Sequence, residues 1–104
     1  IATTIQSITF TTAGTYLIDT DINFEANGNG IRVCKISPTT NDTEMTRSAV
    51  TTVPVTGVGT GVTFQTIVNV TAGKTYYINV RQTSGTALNV NSRCRIVKLA
   101  NPNT

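Results

Sequence analysis

The cleanest pattern in the chain runs from Tyr16 to Glu25, where apolar and polar positions alternate without a break. Tyr16, Ile18, Thr20, Ile22 and Phe24 share one side of an extended strand, and Leu17, Asp19, Asp21, Asn23 and Glu25 share the other. One side is core and the other is wet, which predicts a strand in a sheet with a solvent-facing side. Thr12-Ala13-Gly14 turns the chain into this strand. The phrase returns as Thr71-Ala72-Gly73 before a second alternation, with Tyr76, Ile78 and Val80 facing one way and Tyr77, Asn79 and Arg81 the other. Glycine reaches positive φ cheaply, and Thr and Tyr suit a half-buried pleat, so each copy reads as a turn feeding a strand.

The rest of the chain extends the pattern. Ile8 and Phe10 alternate around Thr9. From Ile31 to Ile36 both sides are apolar or amphiphilic, which predicts a sheet covered on both faces. Val50 to Val55 is interrupted by Pro54 and suits an edge. Val62, Phe64, Thr66, Val68 and Val70 form another inward row, Ala87 to Val90 is short, and Ser92 to Leu99 closes the chain. Turns fall at Asn27 to Gly30, at the Gly57, Gly59, Gly61 run, and at Gln82 to Thr86. Ser37 to Ser48 is the longest polar stretch and reads as an exposed loop, a common carrier of recognition. No segment keeps helical periodicity for three turns. The expectation is one all-β domain over residues 1–104, with roughly eight to ten short strands spaced as a sandwich requires.

The order of these pieces resembles the tumour-necrosis-factor/C1q-type jelly roll. There a turn of the form aGxY opens a long strand, a second aGxxYxxxV turn-strand comes late, and a short apolar strand closes the chain. Thr12–Ile18, Ala72–Val80 and Cys94–Leu99 carry the likeness and together span nearly the whole domain. With its Thr- and Asn-rich composition, the chain is most similar within that group to the C-terminal head domains of lactococcal phage receptor-binding proteins. It also resembles heads that cap bacterial collagen-like tails. The resemblance implies a jelly-roll β-sandwich of two antiparallel sheets, assembled as a homotrimer at the virion's tail or baseplate tip. Its partners would be upstream tail modules and the saccharides of the host cell wall. The alternative is a structural trimerisation head capping a fibrous or collagen-like stalk. The chain begins at Ile1 rather than Met, and is read as the C-terminal fragment of a longer one.

Residue roles follow from the same resemblance. In the jelly-roll layout the strands holding Cys34 and Cys94 are neighbours in the inner sheet, so the two side chains form either a disulfide or a pair of small buried thiols. Tyr77, Asn79 and Arg81 would point from that sheet toward neighbouring subunits, where Tyr and Arg are favoured. Sugar sites in such heads often use Trp or His, and this chain has neither. A site here must stack on Tyr or rely on amide, carboxylate and guanidinium hydrogen bonds. Asn41, Asp42 and Arg47 from the long loop, with Arg93 and Arg95, are the candidate saccharide residues. Asp accepts from paired hydroxyls, Arg donates in a fixed fork, and Asn does both.

Composition removes several other classes. Charged residues are only 12% of the chain, and the net charge of +3 comes from few acids rather than many bases. Arg93 and Arg95 form the one tight basic pair, without interleaved aromatics, so no nucleic-acid partner is expected. No apolar run approaches the ~20 residues of a membrane span. The absence of histidine removes a Cys/His zinc site and a Cys–His nucleophile. Asp19-Thr-Asp21-Ile-Asn23 imitates the start of a calcium loop but puts Phe24 and Gly30 where Gly and Glu are needed. Asp19 and Asp21 lie about 6.6 Å apart on one strand face, a spacing a glycosidase could use, yet a solvated face that discourages edge aggregation accounts for them better. Asn41-Asp42-Thr43 and Asn69-Val70-Thr71 match the N-glycosylation pattern, as expected by chance in a chain this rich in Asn and Thr. No cofactor and no enzymatic activity are expected; the reading is adhesion.

Overall fold

Alternation in the sequence becomes strand in the computed structural model, which describes residues 2–42, 44–45 and 48–102. Seven strands are formed among these residues: β1 Thr3–Phe10, β2 Gly14–Phe24, β3 Arg32–Ser37, β4 Val50–Thr52, β5 Thr60–Val70, β6 Lys74–Gln82 and β7 Val90–Ala100. The expected eight to ten are not reached, because Ala87 to Asn89 stays in a loop and Val90 simply opens β7. The strands make two antiparallel sheets, one ordered β1-β6-β3-β4 and the other β5-β2-β7.

The inward rows predicted for β2 and β5 fill the space between the sheets. Ile18, Ile22, Phe24, Val62, Val68 and Val70 meet Ile8, Phe10, Cys34, Ile36, Ile78 and Val80 in one buried cluster. The two Thr-Ala-Gly turns converge at one end of it. Tyr16 and Tyr76, one from each sheet, both pack on Phe10, with ring centroids 4.6 Å and 6.2 Å away. The turns use glycine for partly different reasons. Gly73 sits at φ +85°, which a side chain adopts only with strain. At Gly14, where φ is +157°, space adds to the limit: a Cβ would come within 2.8 Å of the Ala100 carbonyl oxygen.

The prediction that β3 lies in a sheet covered on both sides holds along its full length, since all six of its residues are buried. Cys34 and Ile36 face the sandwich core, while Val33 is covered from outside by Ala2 and Met45. Among the described residues of the long polar segment, Pro38 to Asn41, Glu44 and Ser48 are exposed as expected, while Ser37, Asp42 and Met45 are buried against the outer face of the four-stranded sheet. One expectation is corrected. Cys34 and Cys94 are not on neighbouring strands: β3 pairs with β4 and β6, and β7 pairs with β2 in the other sheet. Both thiols are free. β7 instead completes the sheet of β2, where Arg93 and Arg95 stand in register with Asp21 and Asp19.

Candidate functional site

The two sheets present outer faces of different character, and the saccharide candidates are divided between them. On the β5-β2-β7 face, cross-strand rows form Gln65–Asp19–Arg95 and Thr63–Asp21–Arg93, with Gly61–Asn23–Asn91 beyond. Arg95 reaches Asp19 at 3.4 Å, and the Thr63 hydroxyl donates to Asp21 at 3.1 Å. Among the described residues Arg93 makes no ion pair. Asp21, Asn23, Asn91, Ser92 and Arg93 line an open concavity of about 490 Å³. It offers a carboxylate that accepts, a guanidinium that donates, and two amides that do both. Next to the charged rows, Ile67, Leu17 and Val97 form an apolar row across the same three strands.

The β1-β6-β3-β4 face carries Asn41 and Asp42; Asp42 is committed to the chain itself, while Asn41 stays exposed and spends its side-chain oxygen on Thr4. Lys35 and Asn79 are direct cross-strand partners on β3 and β6, and both are buried. The Lys35 ammonium lies 3.0 Å from Asp42 Oδ2 and donates to the Glu44 carbonyl at 2.8 Å. Ser37 Oγ donates to Asp42 Oδ2 at 2.8 Å and accepts from Asn79 Nδ2 at 3.2 Å. Asn79 also donates to the Thr39 carbonyl and accepts from the Thr4 hydroxyl at 2.6 Å. Asn41 closes the network by exchanging two hydrogen bonds with Thr4, at 3.0 and 2.8 Å. The Glu44 backbone N–H, then the Ser37 hydroxyl and Lys35, hold the Asp42 carboxyl below its usual range. Asp42 is thus a buried anchor with its oxygens already occupied, not a surface acceptor waiting for sugar hydroxyls.

The remaining candidates fall as follows. Arg93 and Arg95 share one face and stand at or beside the concavity, whereas Asn41 and Asp42 lie on the opposite face, so the five do not make one site. Arg47 lies outside the described residues. In the row assigned to subunit contacts, Asn79 has no exposed surface and its amide is consumed inside the chain. Tyr77 and Arg81 remain half-buried on that face. Neither thiol is poised for chemistry: burial pushes Cys34 up to about 12, and burial also raises Cys94.

Asp19, Asp21, Asn23 and Asn91 are not among the residues the sequence marks for saccharide contact. A signal for them was present: Asp19-x-Asp21 and Arg93-x-Arg95 have matching two-residue spacing, as antiparallel partners with complementary charge on one face would. No family model matches the chain, and no curated protein or solved structure matches it either.

Proposed function

We propose that this domain is a non-enzymatic adhesion head that binds cell-surface saccharides through the outer face of its β5-β2-β7 sheet. The observation that carries the reading is the polar concavity of Asp21, Asn23, Asn91, Ser92 and Arg93. Its donors and acceptors match vicinal hydroxyls, and no histidine or free thiolate competes for another chemistry. Without an aromatic platform in the concavity, single-site affinity is weak, with a Kd near ~1 mM. Several copies on one particle turn that into firm attachment through effective concentration.

Jelly-roll architecture, trimeric assembly and a place at a phage tail tip belong to the same proposal. Successive strands cross between the sheets at β1–β2, β2–β3, β4–β5, β5–β6 and β6–β7, and the late strand β6 inserts between β1 and β3. Such winding supports a roll of Greek-key type, with one sheet a strand short of the usual eight. Tyr77 and Arg81, on the outer face of the four-stranded sheet, are the side chains offered to a neighbouring subunit.

The test is binding of the labelled domain to lactococcal cells before and after their surface polysaccharide is stripped. Binding that vanishes on stripping, and that falls at least several-fold in Arg93→Ala and Asp21→Ala, is the expected result. Equal binding by both variants overturns the concavity as the site. A domain that is trimeric yet binds none of a strain panel returns the structural stalk cap as the better reading.

A further inference from the structure

Buried lysines are rare unless paired, and one placed directly opposite a fully buried asparagine is a more specific arrangement than pairing requires. Lys35 and Asn79 face each other across β3 and β6, the two inner strands of their sheet. The β carbons of such partners stand about 4.5–5.5 Å apart, well within the reach of a lysine arm. Around them lie the groups that amide exchange needs. Asp42 touches the amine at 3.0 Å. Ser37 Oγ touches both Asp42 Oδ2, at 2.8 Å, and the Asn79 amide nitrogen, at 3.2 Å. The Thr4 hydroxyl lies 2.6 Å from the Asn79 carbonyl oxygen.

We propose that Lys35 and Asn79 condense to an intramolecular isopeptide bond that rivets β3 to β6. Asp42 takes a proton from the Lys35 ammonium along their existing contact; because its carboxyl is held below its usual range, this transfer is uphill, the neutral amine is a minor species and condensation is slow. The Nζ lone pair adds to Asn79 Cγ, and the Thr4 hydroxyl stabilises the oxygen as it gains charge. Ser37 relays the proton from Asp42 to Asn79 Nδ2. The Cγ–Nδ2 bond then breaks and the nitrogen leaves as ammonia, which takes the second proton released from Nζ. Overall an ammonium and a primary amide become a secondary amide and an ammonium ion. Asp42 ends ionised as it began, and no oxidant, metal or cofactor is consumed. Burial keeps water from the carbonyl, so the amine meets no competing nucleophile. The product joins strands that are 44 residues apart in sequence, from 35 to 79, and it would resist unfolding under tension on a surface-attached head.

Intact mass spectrometry of the folded domain tests this directly. The expected mass is about 17 Da below that of the sequence, the loss of one ammonia. Trypsin should then yield Val33–Arg47 and Thr75–Arg81 as a single branched peptide, uncut after Lys35. Lys35→Arg should restore the full mass. Should that variant fail to fold, Thr4→Val serves instead, with the linked species accumulating more slowly than in the unaltered protein. A full mass after prolonged incubation of folded protein, with Val33–Lys35 and Thr75–Arg81 recovered separately, overturns the proposal. So does a loss of ammonia that maps to a succinimide at another asparagine.

Discussion

Two acid–base pairs stand on opposite outer faces of one sandwich, in different surroundings. Lys35 and Asp42 are 3.0 Å apart with side chains 10% and 8% exposed, while Arg95 and Asp19 are 3.4 Å apart with side chains 75% and 25% exposed. Arg95 and Asp19 sit on paired strands, whereas Lys35 on β3 is met by Asp42 from the loop that follows. The cover differs as well. Residues 38–42, with Glu44 and Met45, lie over the four-stranded sheet and cover Lys35. A sealed pair must have every lone pair and proton satisfied, because a buried charge left alone is expensive. The network through Ser37, Asn79, Thr4 and Asn41 meets that demand and fixes where the loop lies. The open pair needs no such network, and its neighbours stay available to a ligand.

The largest effect in that comparison belongs to Asn79→Ala. It strips partners from the Thr4 hydroxyl, the Ser37 hydroxyl and the Thr39 carbonyl at a buried position. At about 1–3 kcal/mol for each group left orphaned, after partial relaxation the cost is roughly 2–4 kcal/mol. Thermal unfolding should show Tm falling by roughly 10–20 °C in a domain of this size. A fall of under about 3 °C would mean that the loop rests on apolar contact alone.

Truncating the loop's apolar anchor comes next. Met45 is 2% exposed and packs on Val33 and Ala2, so Met45→Ala should cost about 2 kcal/mol. Ile67→Ala is the matched control on the open face. Ile67 is 63% exposed, and its loss should stay within about 0.5 kcal/mol. Equal costs at the two sites would erase the distinction between the faces.

Acid should loosen the covered face first. The folded-state value of Asp42 is depressed, so the stability it contributes is present above the ordinary carboxylate range, near about 3.9, and is lost as pH falls through the depressed value. The protection factors of the amides of residues 39–42, taken against intrinsic exchange at each pH, should therefore fall below about pH 4. Asp42→Asn should carry that lower protection at neutral pH and show less further change on acidification. Unchanged protection down to pH 2 would separate Asp42 from the anchoring of the loop.

How far the sequence could be read is visible in the same two regions. The period-2 alternation of Tyr16 to Phe24 translated directly into β2, because a half-wet strand writes its two faces into neighbouring residues. Asn79 was assigned to a subunit contact because its own strand marks it as facing outward, and outward it does face. Whether that face is wet depends on a segment about 40 residues earlier folding back across it, and no local pattern encodes that. The fully apolar or amphiphilic β3 held the hint, since cover over Lys35 implies cover over its cross-strand partner. The Cys34–Cys94 pairing failed for a related reason. β7 joins the sheet of β2, a non-local fact hinted at in sequence by the shared two-residue spacing of the Asp and Arg pairs.

The smallest expected change is the most useful for function. Arg95→Ala removes one partner of an ion pair that is largely in water, where screening and side-chain entropy leave about 0–0.5 kcal/mol. Tm should move by no more than a few degrees, and the movement should vanish in 1 M salt, where the Debye length is about 3 Å. The rows beside it predict a different readout for the ligand. Freed from Arg95, Asp19 becomes an extra acceptor next to Asp21, and the face loses one cation. Saccharide binding should therefore change in Arg95→Ala while stability hardly moves, the reverse of Asn79→Ala, which should lower stability and leave the affinity of the folded fraction intact. If Arg95→Ala instead unfolds the domain, the open face is structural. The concavity beside it would then be a by-product of sheet pairing rather than a place where sugar binds.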